Sequence, residues 1–483
     1  MNRNLISLGA MLCGLVAAVI LPGNALGLGL FVTAVLIYAV VIAARPAEIS
    51  IHTLCFGALS AGLVSMVVVR AAGWVVWVDL LAAACFASLA VRGGETWRSL
   101  VRGALAVGTS LLRGLGFVLQ PLRSRLGPAL RGRSAPVMRG VVIGMALLVV
   151  FGALFASADR AFLHLASSLF SPDVEVSQFP ARVFLLALFT AVAGALVVAG
   201  PRFTPATEDD AFGQEKSPRA LGFPEWSISL GLLNVLFATF VIVQLTVLFG
   251  GRAHVLDTVD LSYAEYARSG FFQLVAVALL ALGVIAASVR WASADSRKEI
   301  VALRSLMGLL CVFTLVVLGS ALKRLMLYED VYGLTRLRVS VHASILFIAA
   351  VFILVIIAGL LWKGSWLPRA FAYLVGISLL TFSLANPEGL IARQNADRFM
   401  RTGKVDVGYL QTLSADAALS LDGLNPLDRK CILLRMGMTL SGQDGWAAFN
   451  LARNRARSPV ETARTSPALG ACPDQGYYEF MAP

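Results

Sequence analysis

KRLMLYEDVYGLTRLRVSVH, residues 323–342, sets Tyr328, Glu329, Asp330, Tyr332, Thr335, Arg336, Arg338 and His342 between two long apolar runs, 306–322 and 339–361. Runs of that length are what a helix needs to cross a bilayer, so the stretch reads as the mouth of a membrane hairpin. Taken as continuous helix, Tyr328, Tyr332, Thr335, Arg338 and His342 fall on one stripe, three or four residues apart. Ionisable groups at that depth face a bundle interior or a water-filled cavity. The plain alternative is that Arg336 and Arg338 snorkel to head groups while Glu329 pairs with one of them.

The whole chain agrees with a membrane reading. Its 483 residues are 58% hydrophobic, against roughly 45–50% in ordinary soluble proteins, and the mean hydropathy is +0.79. The formal charge of +12 sits largely in short segments between apolar runs, where Lys and Arg set orientation rather than bind nucleic acid. Cys13, Cys55, Cys85 and Cys311 lie inside apolar runs and read as small hydrophobes. Cys431 and Cys472, in the polar tail, are either a disulfide closing that tail or two free thiols.

The pattern is an all-α, polytopic bundle of about eleven spans with a small helical extracytoplasmic C-terminal domain. Four N-terminal spans occupy 1–91: 5–21, 25–44, Ile51–Val69 and 74–91. Leu21-Pro-Gly-Asn24 reads as a hairpin turn, which favours an anchored over a cleaved first span. Residues 92–138 form an Arg-rich cytoplasmic segment. Arg92, Arg98, Arg102, Arg113, Arg123, Arg125, Arg131, Arg133 and the adjoining Arg139 face a single acid, Glu95. Between them Leu105, Leu111, Leu112, Leu115, Phe117 and Val118 suggest an amphipathic helix on the inner leaflet. Arg98, Arg102, Arg113, Arg123 and Arg125 would then face anionic lipid.

Residues 139–385 hold seven further spans, at 141–155, 183–199, 228–249, 271–289, 306–322, 339–361 and 370–384, with a linker at 201–225. The positive-inside rule places the N-terminus inside and the tail outside. In the polar 386–483 domain, 390–402 and 409–421 show helical spacing. Asn425-Pro426 starts a helix running to about Leu440, and order is expected to fade after about Arg455.

No HExxH helix or GxxxxGK[ST] loop is present, the four histidines are isolated, and no cofactor is implied. Asp209-Asp210 and Glu329-Asp330 are adjacent acids better suited to structural pairing than to acid–base work.

Four ordered segments carry a resemblance: RGVVIGMALLVVFGALFASADRAF, LSYAEYARSGFFQL, LYEDVYGLTRLRV, and NPEGLIARQNADR with DVGYLQTLSADAA. They resemble a family of bacterial multi-pass membrane proteins catalogued as domain of unknown function 4173, related to that numbered 4153. The resemblance covers residues 139–422 and implies a bacterial integral membrane protein without assigned catalytic residue, substrate or cofactor. In that family the Ser-Ala-Asp motif commonly continues with Pro, where this chain has Arg160.

The topology gathers Asp159, Glu265, Arg268, Tyr328, Glu329, Tyr332, Arg336, Arg338, His342 and Asn386 at the outer face, beneath the tail. That cluster suits an envelope sensor or an accessory subunit of another envelope or signalling membrane protein. A transporter is the rival, and would show broken helices near the midplane, with Gly194 and Asn234 as candidates. An intramembrane enzyme ranks third.

Overall fold

The computed structural model describes residues 3–44, 50–120, 179–200, 221–249, 271–361, 364–440, 445–467 and 472. Among them the chain is helical, and its one β feature is an isolated bridge between Leu221 and Ala292. Among the described residues, eight helices are long and apolar enough to cross a membrane, which marks a membrane-embedded protein. The chain divides into two compact units: 1–94 with 98–205 and 440–454, and 95–97 with 206–439 and 455–483.

The first unit is built on α1 (Arg3–Ile20), α2 (Leu28–Ala43), α3 (Ile51–Val69), α4 (Gly73–Arg92), α5 (Trp97–Val118, within this unit from Arg98) and α6 (Phe179–Val198). Asn4–Ile20 of α1 and the whole of α2 are apolar but shorter than the eight. Small residues bring the helices together, as is usual where lipid supplies no hydrophobic drive between them. A Cβ on Gly14 of α1 would overlap Thr190 of α6. Hydroxyls tie the layers: Tyr38 OH lies 2.7 Å from Ser60 Oγ, which donates to the Ala83 carbonyl at 2.6 Å.

The two ends of this bundle are closed differently. At the end formed by the C-termini of α4 and α6, α5 packs Gly103, Ala106, Val107, Gly114 and Val118 inward. Ser88 donates to the Gly103 carbonyl and accepts from Val107 N–H at 3.1 Å. Leu111 and Phe117 pack against this core and Val118 is buried in it. These side chains, expected to face lipid, therefore face protein; the small residues beside them allow the close approach.

At the other end lies a segment from far along the chain, with a 3₁₀ turn at Trp446–Ala448. Asn450, buried, donates to the carbonyls of Val67 and Arg70 at 2.9 and 2.8 Å. Leu28 N–H donates to the Phe449 carbonyl at 3.0 Å, and Arg453 reaches the Leu26 carbonyl at 2.7 Å. Carbonyls at the end of α3, which have no partner within the helix, are thus satisfied.

The second unit contains α7 (Phe223–Phe249), α8 (Phe271–Trp291), α9 (Arg297–Tyr332), α10 (Arg336–Leu361) and α11 (Leu367–Leu384) around a core that includes Phe237, Ala278, Leu310, Leu318, Ile345 and Phe352. α9 starts from a capping box, Ser296 with Glu299. At 36 residues it is about 54 Å long, against a hydrocarbon thickness of about 30 Å. Its last turns therefore reach beyond any bilayer it crosses. They carry the polar stretch. The span expected at 306–322 is thus the middle of a longer helix.

Beyond α11 come α12 (Pro387–Thr402), α13 (Val407–Leu410), a 3₁₀ turn at Ala415–Ser420, α14 (Pro426–Leu440) and α15 (Leu451–Thr465). The helix expected over 409–421 is replaced by a single turn and the 3₁₀ segment. Residues after Arg455, expected to lose order, continue α15 to Thr465, with Ala456, Val460 and Ala463 buried on one face. Cys431 and Cys472 are joined by a disulfide, and Lys430 Nζ donates to the Ser466 and Pro467 carbonyls at 2.9 Å. The span expected at 141–155, and most of the 201–225 linker, lie outside the described residues.

Candidate functional site

The candidate site forms where α9 gives way to α10 in the second unit. The stretch is not one helix. α9 ends at Tyr332, Gly333 follows with φ +78°, and α10 begins at Arg336. Gly333 N–H donates to the Glu329 carbonyl at 2.7 Å, and a positive φ suits glycine because it has no Cβ to clash. A Cβ there would also overlap Asn395 Oδ1. Tyr328, Tyr332 and Arg338 still meet, but across a hairpin rather than along one stripe. Arg338 Cζ lies 4.3 Å from the Tyr328 ring centroid and 5.9 Å from that of Tyr332, and its guanidinium donates to the Gly333 carbonyl. Thr335 Oγ1 accepts from Arg338 N–H at 3.4 Å.

Glu329 pairs with neither Arg336 nor Arg338, one of which the snorkelling alternative gave it as partner. It is buried, and His342 Nδ1 approaches its Oε1 to 3.0 Å. That oxygen makes no hydrogen bond in the structure, so the approach is a close contact off the hydrogen-bonding direction. Asp330, the adjacent acid, lies 3.9 Å from Arg401, both largely exposed.

A second group of residues closes the hairpin from the tail side. Asn386 sits in the left-handed region at φ 55°, a conformation Asn tolerates better than most residues. Its Oδ1 accepts from Gly389 N–H at 3.1 Å and its Nδ2 donates to the Asp416 carbonyl at 3.0 Å. With Pro387 as the first residue of α12, this turns the chain sharply off α11. α12 then presents Glu388, whose side chain is 0% exposed, to Arg336. Arg336 Nε donates to Glu388 Oε1 at 2.6 Å and its Nη2 to the Thr412 carbonyl at 2.7 Å. Glu388 Oε2 accepts from Ser414 N–H. Tyr409 OH accepts from Arg336 N–H at 2.7 Å; burial is the main reason its phenol pKa is raised. Asn395 Nδ2 donates to the Leu334 carbonyl at 2.8 Å.

A third group holds the end of α9. Arg398 donates to the carbonyls of Asp330, Val331 and Lys404. Burial, and then the charges of Arg338 and Arg401, lower its pKa. Placing cations on the last carbonyls of a helix also suits its dipole.

The hairpin thus brings together Tyr328, Glu329, Tyr332, Arg338 and His342, while Arg336 and Asn386 serve the seal between hairpin and tail. Asp159, Glu265 and Arg268 lie outside the described residues, as do Arg123 and Arg125. Arg98, Arg102 and Arg113 are exposed on α5, in the first unit. Glu388 and Tyr409 were missed as site residues, although both stand in segments that carried the resemblance. Asp79 was missed too. It is 1% exposed, on α4, and an acid inside WVVWVDLLAAACF is a direct signal, because a charge in a span faces the bundle interior. Among the described residues, no three His, Cys, Asp or Glu side chains cluster as metal ligands would.

Arg336, Glu388, Tyr409 and Asn386 all lie within the part of the chain that a known family covers. The profile described as Domain of unknown function (DUF4153) matches residues 58–424. The match is to the related family rather than to the number 4173, and it begins in α3, so it takes in α4 and α5 as well. Neither a curated protein nor a solved structure matches the chain.

Proposed function

The chain belongs to the DUF4153 family, and we propose that it is an envelope sensor or accessory subunit whose tail seals the outer mouth of a membrane hairpin. The observation that carries this reading is the Arg336–Glu388–Ser414–Tyr409 network. It ties the start of α10 to the tail through a buried carboxylate. Such a joint passes a change in the tail directly to two spans.

The proposed sides follow from charge and redox chemistry. In the first unit the Arg-rich α5 and the 445–454 segment close opposite ends of the bundle, as the positive-inside rule requires if the tail is external. A disulfide between Cys431 and Cys472 suits an oxidising compartment. The favoured membrane is the bacterial inner membrane, with the N-terminus inside. Eleven spans result if α1, α2 and the 141–155 run are added to the eight long apolar helices.

The transporter reading rests on Asn234, buried in α7, whose Oδ1 has no hydrogen-bond partner. Yet its Nδ2 bonds the Leu230 and Leu306 carbonyls, and α7 and α6 run unbroken through Asn234 and Gly194. Intact helices with an amide bridging them fit helix packing better than a substrate path.

The test has two parts. Unfolded under non-reducing conditions, Cys431 and Cys472 should resist maleimide until reductant is added; immediate labelling would refute an external tail. A photo-crosslinking residue at Met400, exposed on α12, should yield a discrete protein adduct or ligand-dependent protection in cells. The same probe at Leu346, within a span, should yield lipid. Identical lipid-only products at both would overturn the sensor or subunit role.

A further inference from the structure

We propose that the outward face of α5 is a docking surface for anionic phospholipid head groups, built where α4 and α6 end. This inference does not depend on the sensor reading; it concerns the first unit alone.

α5 lies across the end of its bundle. Along α5, Val107 contacts Ser88 of α4, and Gly114 lies so close to Gly194 and Ala195 of α6 that a Cβ would overlap their backbone. Val107 and Gly114 are about 10 Å apart along the helix. Ser88 and Gly194 are each four residues from the last residue of their own helix, Arg92 and Val198. Travelling from α4 to α6, α5 therefore stays at one level, about 6 Å inside the helix ends. A helix running parallel to the spans would instead meet progressively deeper residues. α4 and α6 are both candidate spans, so that level is the edge of the hydrocarbon.

The face turned away from the bundle has a composition that fits this level. Arg98, Val101, Arg102, Leu105, Thr109 and Arg113 recur at helical spacing and are all exposed. Val101 and Leu105 are 56% and 57% exposed, more apolar surface than a water-facing helix usually leaves between arginines. No acid occurs anywhere in α5. Aliphatic side chains entering the acyl boundary, with guanidinium groups beside them at phosphate height, are how interfacial helices bind. A guanidinium also offers a phosphate two parallel N–H donors. The occupant that satisfies both features is a phospholipid with net negative charge.

Full-length protein in detergent, titrated with phosphatidylglycerol and separately with phosphatidylcholine, gives the two affinities by native mass spectrometry. Wild type should prefer phosphatidylglycerol. Arg98→Gln with Arg113→Gln should weaken phosphatidylglycerol about twenty-fivefold, at about fivefold per basic residue, and leave phosphatidylcholine unchanged. Both positions lie on the face opposite the packing, so an unchanged melting temperature will show that folding is intact. In vesicles, a nitroxide at Leu105→Cys, with Cys13, Cys55, Cys85 and Cys311 replaced, should be accessible to oxygen and shielded from an aqueous nickel chelate. Equal phosphatidylglycerol affinity in variant and wild type would overturn the proposal. So would a water-accessible nitroxide, the behaviour of a face that awaits a soluble protein.

Discussion

Replacing Arg336 by alanine removes two contacts at once: the 2.6 Å bond to Glu388 and the 2.7 Å bond to the Thr412 carbonyl. Glu388, with no exposed side-chain surface, would keep the Ser414 N–H but lose the Arg336 guanidinium. Stranding a buried charge costs about 3–5 kcal/mol. Because the Arg336 side chain is itself 37% exposed, water can enter the vacated space, and the lower end, about 3 kcal/mol, is the better figure. In a unit of this size that lowers the melting temperature by about 6–12 °C. The assay is thermal unfolding of the detergent-solubilised chain, followed by intrinsic fluorescence. Arg401→Ala is the control. Its pair with Asp330 spans 3.9 Å between largely exposed side chains, worth at most about 1 kcal/mol. Adding Glu388→Gln to Arg336→Ala should return much of the loss, because a neutral amide tolerates burial better than a carboxylate that has lost this guanidinium. A fall below about 2 °C for Arg336→Ala, or no rescue by Glu388→Gln, would refute the claim that this joint holds the tail to the hairpin.

Two further outcomes are expected. Asn450→Ala removes the amide that donates to the Val67 and Arg70 carbonyls; a loss of about 2–3 kcal/mol should appear as faster proteolysis within 445–454 and a lower melting temperature. For Tyr409, the raised folded-state pKa means its stabilising contribution is intact below the unfolded value of about 10 and is lost as pH climbs through the folded value. Wild type should therefore lose more stability between pH 9 and pH 11 than Tyr409→Phe, as denaturation at the two pH values will measure; parallel losses would contradict it.

Hydropathy located the spans well where the bilayer itself sets the boundary, as at Ile51–Val69, which matches residue for residue. It placed the last residue of α10, Leu361, correctly, but stopped α9 short of Tyr332 because Lys323, Arg324, Glu329 and Asp330 end the apolar run without ending the backbone hydrogen bonding. Gly333 was the available stop signal, glycine being favoured just beyond a helix end. The clustering of Tyr328, Tyr332 and Arg338 was legible from their closeness in sequence. The choice of partners was not. Arg336 and Glu388 are 52 residues apart, and only the turn at Asn386 decides that they meet. Order was expected to fade after about Arg455, yet Ala456, Val460 and Ala463 continue a narrow inner face at helical spacing. Small residues give a weak hydropathy signal even when tightly packed.

Asn450 and Val67 are separated by 383 residues, and that distance dictates an order of assembly. While a ribosome is making the chain, α1 to α4 can enter the membrane and pair, yet the carbonyls at the end of α3 wait for a segment that emerges only after α7 to α14 have been synthesised. Closing so long a loop is slow, and contacts of this kind form late in folding. Until then the open end must be hydrated or held by a chaperone. Proteolytic resistance at the α3–α4 turn should accordingly mark a finished first unit, and quality control acting at that turn would inspect its earliest and latest segments in a single step.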